Sequence, residues 1–476
     1  MKRFPLLLAV LFLASASFAA MEKMCTVKVA GRTQLVQAAA KVGEFVNYPL
    51  GVMAGIAVMS EAVQEELGDC RLDAPILLVG YLDTARPDAK VDERDVEVAM
   101  VLPTTLNKAQ FREKQFKVRE RDGVIKFIEG EGEKPKYAVF SEDEQWVAVA
   151  ESRELVSLAA GEIAAARMAM GDDIVQIETT QACMRQAELA AQKFCDENFD
   201  EDVDDALEYL KDMDGIKLAL RVNDLGVDLH GAIRIRPDSA FVRMCVSPLA
   251  GDVLAFAPAG AQAACVSMVD GPAWDQAAAL FAEMLDCAER NRLDLSWLKR
   301  ETQGGNLLIE LDSVALLDYY RDEAAHLEID QDKLETEINA IADKMNQLQP
   351  GREYRPWGMA FSVKDRPAPV SPSAKLAKIL PEIQGRSLNA ASVFSLYGVI
   401  RAIAPDVLAA APAEQKQTIR AVMMAFVDNQ NGAVAGAAWR EADDYQFILR
   451  VSADELRALS SVVSAVAGAA SMQMFK

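Results

Sequence analysis

Apolar and polar residues alternate along several short stretches of the first half, which is the pattern of β-strands. The stretch FKVRERDGVIKFI (116–128) alternates on both sides of Asp122 and Gly123, a dipeptide that favours a two-residue hairpin turn. The stretch KYAVFSEDEQWVAVA (136–150) alternates about an acidic centre and predicts a second hairpin. Strands joined by hairpins run antiparallel, so the pattern predicts a mainly antiparallel sheet.

Stretches with helical spacing lie between the predicted strands. Leu334, Ile338, Ile341, Met345 and Leu348 are spaced four, three, four and three residues apart, which predicts an amphipathic helix. The other expectations are helices around 33–67, 152–169, 180–211, 273–290 and 374–427, a last helix from Ala453, strands at 76–82, 96–102, 216–222, 227–235, 253–257, 264–269 and 306–311, and a hairpin at 433–439 and 445–451. Hairpins and helices in this arrangement predict an α+β fold.

The stretch CTVKVAGR (25–32) has a counterpart in CVSMVDGP (265–272), and both precede an alanine-rich helical pattern. At this one offset the matched pairs are Cys25/Cys265, Val29/Val269, Gly31/Gly271, Ala38/Ala278 and Ala39/Ala279. We interpret the match as an internal duplication, and the alternative is chance agreement in a chain rich in alanine. Duplication predicts two related units, each a mainly antiparallel sheet packed with helices: a first α+β repeat at 20–246 and a second, with a helical insertion, at 247–476.

The first 19 residues have the composition of a secretory signal peptide. Lys2 and Arg3 precede an apolar run at 4–14, and the small residues Ser17 and Ala19 precede a cleavage point. The run is short for a bilayer span, although a retained anchor is the alternative. The sequence therefore predicts a periplasmic or secreted protein that begins near Ala20, with no integral membrane span in the mature chain.

Composition and charge narrow the possible partners. Hydrophobic residues make up 51% of the chain and charged residues 26%, which is typical of a globular protein. The formal net charge is −22, and removal of Lys2 and Arg3 makes it more negative. An excess of carboxylates repels nucleic acid and anionic lipid surfaces, so neither is an expected partner.

Seven cysteines in an exported chain make disulfides plausible, and the odd number leaves at least one unpaired or joined to another molecule. Cys25 and Cys265 occupy matching positions, while Cys70 and Cys287 each end a helix-like stretch. Equivalent pairs, Cys25–Cys70 and Cys265–Cys287, would then link each repeat internally. The alternative is that these residues are buried free thiols.

The sequence lacks the residue patterns of several catalytic and metal sites. Its two histidines, His230 and His326, cannot form a His-rich zinc site, and no GxSxG nucleophile motif or glycine-rich phosphate loop is present. The acidic run at 196–205 fails as a calcium loop, because Asp205 stands where glycine is needed and Lys211 where glutamate is needed. We assign no catalytic residue, metal or cofactor.

The stretches YAVFSEDEQWVAVAES and QFILRVSADELRAL, together with the signal peptide and the Cys25/Cys265 match, resemble uncharacterised secreted bacterial proteins built of two α+β repeats. The resemblance implies a location in the envelope or outside the cell, and it implies no catalytic residue.

The sequence thus favours a non-enzymatic exported protein that binds an unknown protein or an apolar ligand between its sheets and helices, or has a structural role in the envelope. A carboxylate-dependent hydrolase is the alternative, suggested by the many acidic residues. Ser460, Ser464 and Gly468 are spaced four apart on the last helix, where small residues allow close packing on the chain's own sheet or in a homodimer.

Overall fold

The computed structural model describes residues 21–46, 70–71, 73–83, 96–128, 133–188, 211–236, 239, 248–322, 329–346, 348, 353–426 and 431–474. The predicted signal peptide, the acidic run at 196–205 and His326 lie outside this range. The chain divides into two compact units. The first comprises Met1–Gly43, Tyr48–Asn223 and Leu229–Pro237, and the second comprises Glu44–Asn47, Asp224–Asp228 and Asp238–Lys476.

The first unit is built on antiparallel strands. Its strands are β1 (Met21–Val29), β2 (Ile76–Asp83), β3 (Val96–Pro103), β4 (Phe116–Arg121), β5 (Val124–Ile128), β6 (Lys136–Phe140), β7 (Trp146–Ala150), β8 (Asp173–Thr179) and β9 (Met213–Asn223), followed by β10 (Gly226–Ile235). Its helices are α1 (Arg32–Phe45), α2 (Lys108–Lys114), α3 (Arg153–Ala160) and α4 (Ile163–Arg167).

Strand β1 lies in the middle of this sheet. It pairs antiparallel with β2 on one side and with β8 on the other. Strands β3, β7, β6, β5 and β4 continue the antiparallel order beyond β2, and β9 follows β8. Helix α3 buries Leu155, Val156 and Ala159 against Val79 and Ala99 of the sheet, because Leu155 and Ala159, four residues apart, lie on one helix face.

The second unit contains the remaining strands and helices. Its strands are β11 (Ala263–Asp270), β12 (Leu298–Gln303), β13 (Asn306–Leu311), β14 (Tyr354–Val363), β15 (Leu388–Phe394), β16 (Val434–Glu441) and β17 (Asp444–Ser452). Its helices are α5 (Gly271–Arg290), α6 (Ser313–Arg321), α7 (Gln331–Asn346), α8 (Pro372–Ile379), α9 (Leu396–Ala410), α10 (Ala413–Met424) and α11 (Ala453–Met474).

The strands of the second unit are ordered β12, β13, β14, β11, β15, β16 and β17. Every pair is antiparallel except β13 with β14, which is parallel. One face of this sheet forms the main core, where Ala264, Val266 and Met268 of β11 are buried with Leu376 and Ile379 of α8. The predicted α+β class and the mainly antiparallel sheet are confirmed.

Several predicted elements differ from those observed. Residues 253–257 form turns and not a strand, and the helical region predicted at 374–427 is interrupted by β15. Strands β8, β12 and β14 were not expected. Strand β14 contains Pro356 and Gly358, which weaken the sequence pattern of a strand.

In the part of the chain that the structure describes, no helix has both the length and the apolar character needed to cross a membrane.

Candidate functional site

The two faces of the sheet in the second unit differ in solvent exposure. Along β11, exposure alternates strictly: Ala264, Val266 and Met268 are buried, whereas the residues between them are half-buried. Paired residues on neighbouring strands point to the same side, so the ladder register identifies the residues that share this side of the sheet, of which Gly436 and Ala438 are buried. This open face consists of Arg300 and Thr302 (β12), Leu307 and Ile309 (β13), Arg355, Trp357, Met359 and Phe361 (β14), Ala263, Cys265, Ser267 and Val269 (β11), Ala390, Ser392 and Phe394 (β15), Val434, Gly436, Ala438 and Arg440 (β16), and Tyr445, Phe447, Leu449 and Val451 (β17).

Small residues occupy the middle of the open face. Cys265 pairs with Ser392, and Ser392 pairs with Gly436, so three short side-chain positions lie in a row across the central strands. A Cβ atom added at Gly436 would lie 2.9 Å from Ser392 Oγ, which shows how closely this row packs. Larger side chains stand on both sides, Met359 on β14 and Leu449 on β17. The central strands therefore carry a row of small side chains between larger ones, and we call this row the trough.

The trough extends along the strands for the length of β11. From residue 263 to residue 269 it measures about 20 Å, at about 3.3 Å per residue. At one end α9 covers the sheet, because Ala402 and Ile403 pack with Leu311 and Val363. At the other end α5 begins, and the ring of Trp274 lies 4.2 Å from that of Trp357, centroid to centroid.

Large apolar side chains on this face are exposed to water. Phe394 and Leu449 are each 42% exposed, while Val393 and Ile448, their neighbours on the opposite face, are about fully buried. Leaving such side chains in water forgoes about 25 cal/mol for every Å² of apolar surface not buried. Exposed apolar surface of this kind commonly marks a place where another molecule binds.

Cys265 lies at the centre of the trough. Burial raises the pKa of its thiol, so little thiolate is present near neutral pH. Its half-buried position nevertheless makes it a built-in reporter of access to the trough.

A second apolar concavity of 460 Å³ lies between α9, α10 and α11. Its lining includes Ile403, Val407, Ile419, Val422 and Val466. Its described lining has no charged residue, and Thr418 supplies its one polar side chain.

The structure joins neither predicted cysteine pair. Cys25, Cys70, Cys183, Cys265 and Cys287 are all free thiols. Cys25 packs on the same small cluster as Cys183, whereas Cys70 packs on a different cluster. Cys287 is buried at the end of α5, and its thiol donates a hydrogen bond of 3.0 Å to Glu337 of α7. Cys265 is in mid-sheet, so the sequence-based disulfide assignment does not describe this structure.

Two carboxylates that share a cavity are each paired with a cation. Asp312 and Asp406 share a cavity of 370 Å³. Lys364 lies 2.7 Å from Asp312, and its hydrogen bond holds the pKa of that carboxyl below the usual value, while Arg366 pairs with Asp406 at 3.1 Å. The pKa values of Asp122, Asp143, Asp294, Asp312 and Glu337 are all displaced downward, which makes these carboxyls poor general acids.

The other sequence candidates occupy unremarkable positions. His230 is half-buried in β10. Ser460 of α11 donates a hydrogen bond to the Val46 carbonyl, so it contacts its own chain, while Ser464 and Gly468 are exposed. Sequence reasoning missed the open face, although small residues at alternate positions of β11, β15 and β16 were a visible signal.

No description of a known protein family matches the chain, and no curated protein is similar to it in sequence. Among solved structures, a crystal form of TP0453 superposes with a TM-score of 0.23 at 6% sequence identity. The alignment covers 45% of this chain and 76% of that one. A similarity this low carries no conclusion about function.

Proposed function

We propose that this chain is an exported, non-enzymatic binding protein that holds an apolar ligand on the open face of its second unit. The single observation that carries the proposal is the difference in solvent exposure between the two faces of strands β11, β15 and β17. The face toward α8 is buried, whereas the open face keeps Phe394 and Leu449 exposed.

The shape of the open face favours a long, narrow ligand. Small residues form the floor, larger apolar side chains form the margins, and α9 and α5 lie at the two ends. Ligand sites are mostly apolar concavities with few polar groups, as this trough is. An extended acyl chain laid along the central strands would cover the half-exposed side chains.

No specific observation favours the hydrolase alternative. Asp312 and Asp406, which share a cavity, are each paired with a cation. A glycosidase needs one carboxyl with a raised pKa, whereas the hydrogen bond from Lys364 lowers the pKa of Asp312.

Protection of Cys265 from alkylation tests the proposal directly. The probe is dodecanol, an uncharged single-chain alcohol, and the reagent is N-ethylmaleimide at mildly alkaline pH, with each thiol followed by peptide mass spectrometry. Dodecanol should slow the reaction of Cys265 and leave those of Cys25 and Cys183 unchanged. Equal rates at Cys265 with and without dodecanol would sink the proposal.

A blocking variant provides a second test. Ser392→Leu places a branched side chain on the floor and should weaken dodecanol binding about tenfold, which corresponds to about 1.4 kcal/mol. Ser464→Leu makes the same substitution at an exposed position of α11 and is the matched control. Unchanged unfolding temperatures in both variants would show that the weaker dodecanol binding of Ser392→Leu comes from the blocked floor of the trough and not from a loss of stability.

Export is part of the same proposal and rests on the signal-peptide pattern of residues 1–19. The intact mass of protein recovered from the cell envelope or the medium should correspond to a chain that begins near Ala20. A chain that retains residues 1–19 would contradict export with cleavage.

A further inference from the structure

Two cysteines of the first unit pack on the same small apolar cluster. The cluster consists of the buried residues Met24, Leu82 and Ala182, and both Cys25 and Cys183 lie against it. Met24 directly precedes Cys25 in the chain, and Ala182 directly precedes Cys183. The cluster therefore brings two stretches that are far apart in sequence, each carrying a thiol, to one place in the fold.

The path of the chain after β8 explains why the two stretches meet. Cys25 of β1 pairs with Thr179, the last residue of β8. The next residue, Thr180, donates hydrogen bonds to the Met24 carbonyl from its amide at 2.9 Å and from its hydroxyl at 3.1 Å. The residues that follow are helical, and Cys183 stands one turn after Thr180 on the same helix face. The helix face that Thr180 holds on β1 thus also carries Cys183.

The electrostatics of the two thiols agree with this placement. Burial raises the pKa of the Cys183 thiol, and negative charge on Cys25 raises it further. The interaction between two charges falls with distance, so this effect of Cys25 places the two sulfur atoms near each other. Both residues are half-buried, so a small reagent can reach them. By contrast, Cys70 packs on a different cluster.

We propose that Cys25 and Cys183 form a disulfide when the protein reaches an oxidising compartment, where disulfides form and persist. The inference rests on the export part of the proposed function, and it replaces the sequence-based pairing of Cys25 with Cys70. Both thiols are free in this structure, which therefore represents the reduced protein.

The oxidant is a disulfide of another molecule, and glutathione disulfide is the probe. One protein thiolate attacks a sulfur of glutathione disulfide, which forms a mixed disulfide and releases one glutathione. The second protein thiolate then attacks the protein sulfur of the mixed disulfide and releases the second glutathione. Two protein thiols are oxidised, one glutathione disulfide is reduced, and the two protons pass to the two glutathione thiolates.

Peptide mapping without reduction tests the pairing. The purified, reduced protein is incubated with mixtures of reduced and oxidised glutathione, and the remaining thiols are trapped with N-ethylmaleimide. A peptide that links Cys25 to Cys183 should accumulate before any other cysteine is oxidised. Free thiols or separate glutathione adducts at both positions, or a link from Cys183 to Cys195, would overturn the inference.

Matched variants supply a second readout. The bond would close a long loop and restrict the unfolded chain, so oxidation should raise the denaturant concentration at the unfolding midpoint. Cys70→Ser should keep both the link and this increase, whereas Cys25→Ser should lose both. An increase that persists in Cys25→Ser would contradict the pairing.

Two comparisons separate this inference from the proposed function. A link that forms in the purified protein and is missing from protein trapped in whole cells would contradict export and leave the pairing intact. The dodecanol test uses the reduced protein, in which Cys25 and Cys183 are both available as controls. Its failure would overturn ligand binding on the second unit without affecting the disulfide of the first.

Discussion

Arg450 is a buried charged residue of the second unit, with 2% of its side chain exposed. Its guanidinium binds both oxygens of Asp228, which is fully buried, and it also contacts Glu382 at 2.6 Å. A further nitrogen donates to the Ile379 carbonyl at 2.5 Å. Every side of the guanidinium is thus satisfied, which is the condition under which a buried ion pair is tolerated.

Removing this arginine should destabilise the protein strongly. Arg450→Met leaves Asp228 as an uncompensated buried charge, and the free energy of unfolding should fall by about 3–5 kcal/mol. Denaturant unfolding measures the change. The control is Arg321→Met, since Arg321 is exposed and only loosely paired with Asp318, and its effect should stay within about 1 kcal/mol. A similar loss in both variants would contradict the role assigned to burial.

Burial of Lys375 should make the free energy of unfolding depend on pH in a known direction. It is buried in α8, and burial lowers the pKa of its ammonium below the usual 10.5. Between the lowered pKa of the folded protein and 10.5, Lys375 is protonated in the unfolded chain and neutral in the folded one. The free energy of unfolding therefore rises with pH over this range.

Relative to Lys375→Met, the unmodified protein should therefore gain stability as pH increases from the lowered pKa toward 10.5, and lose that gain as pH falls. Chemical denaturation over this range compares the two proteins. The same trend relative to Lys378→Met, which removes an exposed lysine of the same helix, would argue against burial as the cause.

At the level of elements, the β4–β5 hairpin is where sequence chemistry determines structure most directly. Asp122 and Gly123 both adopt positive φ, 54° and 78°, as the two-residue turn requires. An added Cβ at Gly123 would meet no atom within 4 Å, so only the backbone conformation opposes a larger residue.

Two glycine-to-alanine substitutions should change the free energy of unfolding in opposite directions. Gly123→Ala should cost about 1–2 kcal/mol, because a left-handed conformation is unfavourable for a residue with a side chain. Gly468→Ala, in the helix α11 and equally free of contacts, should stabilise by up to about 1 kcal/mol. Thermal unfolding measures the stability of both variants. Destabilisation by both substitutions would mean that side-chain contacts, and not the backbone conformation at each glycine, determine the effect.

The hairpins β4–β5, β6–β7 and β16–β17 could be predicted because each is specified by adjacent residues. Strands β14 and β15 could not, since their pairing with β11 joins stretches far apart in sequence. The open face was hidden for the same reason. Which of two alternating sets of side chains faces outward depends on register, and register follows from distant pairing.

At the scale of the whole molecule, the second unit is assembled from three separate segments of the chain. Phe45 is buried beside the Arg457 guanidinium, 5.5 Å from it, although most of α1 belongs to the first unit. Residues 224–228 bring Asp228 to Arg450. The boundary predicted at 246–247 therefore lies downstream of residues that the second unit uses.

Fragments test this assembly. A fragment of residues 248–476 lacks Asp228, whereas a fragment of 224–476 retains it, so the longer one should be more stable by about 3 kcal/mol or more. Urea unfolding of the two measures the difference. Equal stability would show that Asp228 contributes nothing to the second unit outside the full chain.

The separation of Asp228 from Arg450 by 222 residues also sets an order of events during synthesis. The chain emerges with its amino terminus first, so Asp228 must remain hydrated until nearly the whole polypeptide has followed. Burial of this carboxylate then coincides with the arrival of β17, the last strand. A chain truncated before residue 450 would be left with an acidic side chain that has no place in its core, which would expose incomplete products to proteolysis.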